Sequence, residues 1–160
     1  MAAFVLLAFA ATCLHARGTV VYAGGAWAAI DRGSTCEALT RSQKIAPRDK
    51  VQAVAGLSFG DRPAEFHVRL SRLPRADASV LLQIGGQPFL LASRGGWAWS
   101  RGGQQAQAIV EALRGATAMS VQSRDMAGTR FSDPYLLDGA PTAIDAAAAR
   151  CALRGAGKIH

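Results

Sequence analysis

Residues Gly56-Leu57-Ser58-Phe59-Gly60 match Gly-x-Ser-x-Gly. In α/β-hydrolases that pattern holds a nucleophilic serine on a strained turn between a strand and a helix. The chemistry also needs a general base and a group to orient it, both supplied later in the chain. Here Gly60 is followed by Asp61-Arg62-Pro63 and then a strand-like run. The downstream histidines are His67, close behind Ser58, and His160, at the end of the chain. The expectation is a strand ending in a turn; a serine hydrolase using Ser58 is the alternative. His67 falls on the polar side of its run beside Glu65 and Arg69, which predicts an exposed strand histidine, whereas a general base needs a substrate pocket and an orienting partner. Asp61 and Glu65 supply two carboxylates of glycosidase type, but their spacing fixes no separation. No catalytic residue is assigned.

Arg94-Gly-Gly-Trp97-Ala-Trp99-Ser-Arg101-Gly-Gly is the most distinctive stretch. Arg-Gly-Gly segments with interleaved aromatics bind single-stranded nucleic acid by stacking and phosphate contacts. Two indoles at i and i+2 on one sheet face also suit stacking on a sugar ring. The plainer expectation is that both tryptophans pack into the core while the glycines make turns, since Trp is usually highly buried. The candidate binding residues are therefore Arg69, Arg94, Trp97, Trp99 and Arg101. Arg62, Arg69, Arg72 and Arg75 also cluster in sequence as a cationic patch suited to anionic lipid head groups, phosphates or acidic polymers. Arg72 falls on the apolar side of the alternation, so a diffuse, solvated basic surface is the simpler reading.

These side chains must be carried by short strands. Phe66, Val68 and Leu70 alternate with Glu65, His67, Arg69 and Ser71, a period of two that gives one apolar and one polar face. Further strand-like runs cover 26–30, 35–40, 51–59, 79–84, 87–92, 97–99, 117–123 and 129–137. Gly85-Gly86 joins two of them and fits a two-residue primed turn, which requires positive φ. Pro88 predicts an outer position or a bulge. Ala106, Ile109, Val110 and Leu113 fall at i, i+3, i+4 and i+7, one face of a short helix that Gly115 ends. Pro141 suits the first turn of a second helix, along which Ile144, Ala148 and Cys151 share a face. The predicted fold is mainly β: an antiparallel β-sandwich or flattened barrel with two short α-helices.

The chain has 160 residues, half of them hydrophobic and 18% charged, with a formal net charge of +7. That composition affords a core and excludes a wholly disordered chain. Met1 to Ala16 is apolar, carries no Asp, Glu, Lys or Arg and ends in small residues. It reads as a secretory signal peptide and is too short to span a bilayer, which takes about 20 residues. Its removal takes Cys13 with it and leaves Cys36 and Cys151, which most simply pair in an oxidising compartment. A structural zinc site is excluded because His67 and His160 lack ligand spacing. The expected organisation is a signal at 1–16, one β-sandwich domain at 17–153 and a flexible basic tail at 154–160.

Gly128-Thr129 enters a strand, Tyr135-Leu-Leu-Asp138-Gly-Ala140 precedes an Ala-rich helix with Ile144, and Gly25-x-Trp27 is followed by Cys36. In these features the chain resembles the invasion-associated locus B family of exported bacterial proteins. The helix Ile109 to Leu113 before a strand with Met119 also fits. Ala26 stands where an Asp usually precedes the Trp, and the family's middle cysteine pair is absent around Trp97 to Arg101. The resemblance implies a β-rich periplasmic or secreted domain without established catalytic residues, in a family named for a role in invading host cells. The expected function is non-catalytic binding of an anionic envelope component or another protein, with no cofactor, metal or transmembrane segment in the mature chain. A serine hydrolase and a single-stranded nucleic-acid binder stand as alternatives, the second disfavoured for an exported protein.

Overall fold

The structure, a computed structural model, describes residues 18–156. The predicted signal at 1–16 with Cys13, and the chain end with His160, lie outside the described residues. Ten strands form one open antiparallel sheet: β1 (Thr19–Gly24), β2 (Trp27–Asp31), β3 (Cys36–Arg41), β4 (Val54–Phe59), β5 (Glu65–Arg69), β6 (Val80–Ile84), β7 (Gln87–Arg94), β8 (Trp97–Trp99), β9 (Ala118–Arg124) and β10 (Arg130–Leu136). Helix α1 (Gly103–Gly115) connects β8 to β9, and α2 (Ala140–Ala156) follows β10. The mainly β expectation with two helices is what the molecule has. Its sheet order is β1-β2-β3-β4-β5-β8-β7-β6-β9-β10, so a three-strand meander runs back on itself and docks β8 onto β5.

The local chemistry explains the elements. Gly85 and Gly86 hold φ of 52° and 89°, the primed turn predicted between β6 and β7. Pro88 lies in β7, whose neighbour β8 reaches only Ala92 to Arg94, so the strand is locally an edge where its missing N–H matters least. Pro141 sits in the first turn of α2 as expected. Strand β1 was not predicted: Thr19-Val-Val-Tyr-Ala-Gly24 has no clean alternation, and as an exposed edge strand it buries little.

Twist accumulates across so many strands and curls the sheet. β10 thereby swings round to the segment after β3, where Gln43 N–H and Ser42 Oγ both donate to the Pro134 carbonyl at 2.9 and 3.1 Å, and Lys44 Nζ donates to the Ser132 carbonyl at 2.7 Å. The Trp27 indole N–H donates to the Leu136 carbonyl and Ala26 N–H to the Asp138 carbonyl, both at 2.9 Å. The concave face carries the core, including Trp27, Leu57, Phe66, Val68, Leu82, Leu91, Val121 and Tyr135. Ile109 and Leu113 of α1, and Ala140, Ala143, Ile144 and Ala147 of α2, close it. Alanine on α2 leaves room for close approach to β2 and β3. Among the described residues no helix covers the other face of the sheet.

Cys36 and Cys151 form a disulfide across a separation of 115 residues, with Cα atoms 5.8 Å apart. Helix α2 runs to Ala156 rather than dissolving into a tail at 154. The reason is Asp31: its carboxylate accepts from Arg150 Nε at 2.7 Å and Arg154 Nη2 at 2.6 Å, pinning the last turn beside the bridge. The Gly33 amide and these guanidinium groups hold the Asp31 carboxyl below its usual range.

Candidate functional site: the outer face of the sheet

Register assembles the outer face in rows. One row reads Arg41, Val54, Arg69, Trp97, Arg94 across β3, β4, β5, β8 and β7. The next reads Leu39, Gly56, His67, Trp99, Ala92, and a third Glu37, Ser58, Glu65. Adjacent strands lie ~4.8 Å apart, so Arg69 and Arg94 stand roughly 10 Å apart with Trp97 between them. Trp97 is 48% exposed and Trp99 half-buried, whereas Ala98 is fully buried.

The expectation that both tryptophans enter the core is therefore corrected. A period of two forces both indoles onto one face, and the Gly95-Gly96 turn sets a register in which small Ala98 meets the packed interior. Among the described residues, Arg41, Arg69 and Arg94 make no ion pair. Glu37 is engaged by Arg32 at 2.9 Å. The face thus has a guanidinium row beside Trp97 and a carboxylate row four residues along the strands.

Arg101 does not join this group. It lies past the end of β8, where its N–H donates to Gln105 Oε1 at 2.6 Å and its guanidinium to the Leu91 carbonyl at 3.3 Å. Nor do Arg62, Arg69, Arg72 and Arg75 form one patch. Arg72 pairs with Asp125 and Arg75 with Asp77, away from Arg69, because β5 ends before them and the chain turns.

Between the rows lies a contact that sequence reasoning set aside. Ser58 Oγ and His67 Nδ1 are 3.0 Å apart. Nearness in the chain had argued against His67 as a base for Ser58, yet the β4–β5 hairpin pairs Gly56 with His67 and Ser58 with Glu65, bringing the two together diagonally. Hairpin register was the signal that would have found it. Ser58 still lies within a strand and not on a strand-to-helix turn. His67 is half-buried rather than exposed, with its ring centroid 6.5 Å from that of Trp97. Burial lowers its pKa from the ordinary value against the opposing pull of Glu37 and Glu65, so the imidazole is neutral at pH 7. A neutral imidazole accepts a proton from a serine hydroxyl or hydrogen-bonds a ligand hydroxyl.

Among the described residues no helix is long and apolar enough to cross a membrane. No known protein family, curated protein or solved structure matches the chain.

Proposed function

We propose that the protein is an exported, non-catalytic binding protein, periplasmic or secreted, that recognises an acidic carbohydrate of the cell envelope through the outer face of its sheet. One observation carries this reading: the half-exposed Trp97 ring lies between its cross-strand neighbours Arg69 and Arg94. An indole face stacks on a sugar ring, flanking guanidinium groups donate bidentately to carboxylates, and Trp99 and the neutral His67 extend the platform. Export is supported by the disulfide and by the uncharged apolar start, and it accords with the resemblance to the invasion-associated locus B family.

The test is binding to polygalacturonate, followed by tryptophan fluorescence, with neutral dextran and single-stranded oligonucleotide as parallel arms. Polygalacturonate binds, dextran does not, and Trp97→Ala lowers affinity about tenfold, equivalent to about 1.4 kcal/mol. Equal binding of dextran refutes the charge requirement. Tighter, steeply salt-dependent binding of the oligonucleotide marks the face as a nucleic-acid site instead. Export is tested by the N-terminus of the native protein, which should begin after the apolar segment.

The Ser58–His67 contact favours a second reading, a serine hydrolase in which Nδ1 takes the Ser58 proton while Glu37 and Glu65 favour the imidazolium. Labelling by a fluorophosphonate that is lost in Ser58→Ala would establish it; an unlabelled wild-type protein rejects it.

A further inference from the structure

On another part of the molecule, a trough of about 1030 Å³ opens between the 44–51 loop, the 71–73 turn and the β9–β10 hairpin. Its size matches small-molecule sites, which run from roughly 300 to 1,000 Å³. Large apolar side chains stand open to solvent along it: Ile45 (89% exposed), Met126 (62%), Leu73 (51%) and Val51. A second trough of about 410 Å³ continues from it and shares Gln122, Arg130 and Phe131. This smaller part is lined by Arg75, Arg124 and Arg130. Arg75 is held by Asp77, and the Arg124 guanidinium donates to the Gly128 carbonyl at 2.9 Å. Among the described residues Arg130 makes no ion pair. The larger trough, which carries Lys44, Lys50, Arg72 and Asp125 as well as these apolar side chains, thus leads to a mainly cationic end, with Arg130 at the junction.

We infer that this double trough binds a fatty-acid anion, its acyl chain along Ile45, Leu73, Met126 and Phe131 and its carboxylate on Arg130. The charge is complementary, and an extended, narrow ligand suits two connected troughs better than a compact one. A peptide strand is the poorer occupant. Adding a strand needs a free sheet edge, but Ser42, Gln43 and Lys44 already occupy carbonyls of β10, and Pro134 has no N–H to offer.

The experiment is calorimetry of the purified protein with laurate below its micellar concentration, alongside dodecanol, butyrate and polyglutamate. Laurate binds, dodecanol and butyrate bind at least about tenfold more weakly, and Arg130→Ala weakens laurate about tenfold. Met126→Asp abolishes binding, with circular dichroism confirming the fold, while Trp97→Ala leaves laurate unaffected. Laurate that does not bind, dodecanol equal to laurate, unchanged affinity in Arg130→Ala, or displacement of laurate by polyglutamate overturns the assignment. The trough shares none of its lining with the Trp97 face, so either site can fail alone.

Discussion

Breaking the Cys36–Cys151 bridge should cost more stability than any surface contact in the molecule. Cross-linking residues 115 apart restricts the unfolded chain by about 16 cal/mol/K in the chain-entropy treatment, or about 4–5 kcal/mol at 25 °C. The folded state loses little by comparison, because Asp31 still holds Arg150 and Arg154 and keeps the end of α2 in place. A domain of this size has ~5–15 kcal/mol in total, so the reduced protein should stay folded but with a thin margin. In urea unfolding followed by far-UV circular dichroism, with m of about 2 kcal/mol/M, reduction should lower the midpoint by about 2 M. The unbridged denatured chain is more expanded, so m should rise. Cys151→Ala and Cys36→Ala share the entropic loss. Cys36→Ala should be the worse, because its side chain is fully buried and that of Cys151 only partly. A midpoint shift under ~0.5 M with unchanged m would refute the reasoning, since it would mean that the two ends of the unfolded chain are already held together without the bridge.

The two faces of the sheet should respond oppositely to truncation. Trp27→Ala removes a buried ring and its hydrogen bond to Leu136, costing about 3–5 kcal/mol in denaturant titration, whereas Trp97→Ala should stay within ~0.5 kcal/mol. Gly139 holds φ of 84°, and a β-carbon there would strike the Gly24 carbonyl, so Gly139→Ala should destabilise by more than about 1 kcal/mol and lower the melting temperature, while Gly96→Ala, which meets open space, should be near neutral. The depressed pKa of His67 means that the unfolded chain takes up its proton first as pH falls below the ordinary value of about 6.5. Stability should therefore decline from there down to the lowered folded value, a dependence that His67→Gln should remove from a melting-temperature profile. Asp31 acts at lower pH: its contribution is present above the usual carboxylate pKa and lost as pH falls through the depressed folded one, so Asp31→Asn should flatten the acid limb.

Periodicity alone determined much of this protein. The alternation from Glu65 to Ser71, the Gly85-Gly86 turn, the helical spacing of Ala106, Ile109 and Leu113, and Pro141 at the start of α2 are local signals, and each is realised within a few residues. With Cys13 assigned to the expected signal, Cys36 and Cys151 could be matched without coordinates, because only one pairing remained. β1 escaped because an exposed edge strand need not alternate. Arg154 was consigned to a tail because its anchor, Asp31, lies 123 residues away in the chain. A period of two states which side chains share a face, but not which face meets the helices. That depends on how the Gly95-Gly96 turn sets β8 against β5 and on where α1 and α2 come to rest over the curled sheet. Hence tertiary packing alone sent Trp97 outward between two arginines and left the trough beside β10 uncovered, because these arrangements join segments whose mutual register no local pattern encodes, whereas the Ser58–His67 contact follows from the register of the β4–β5 hairpin.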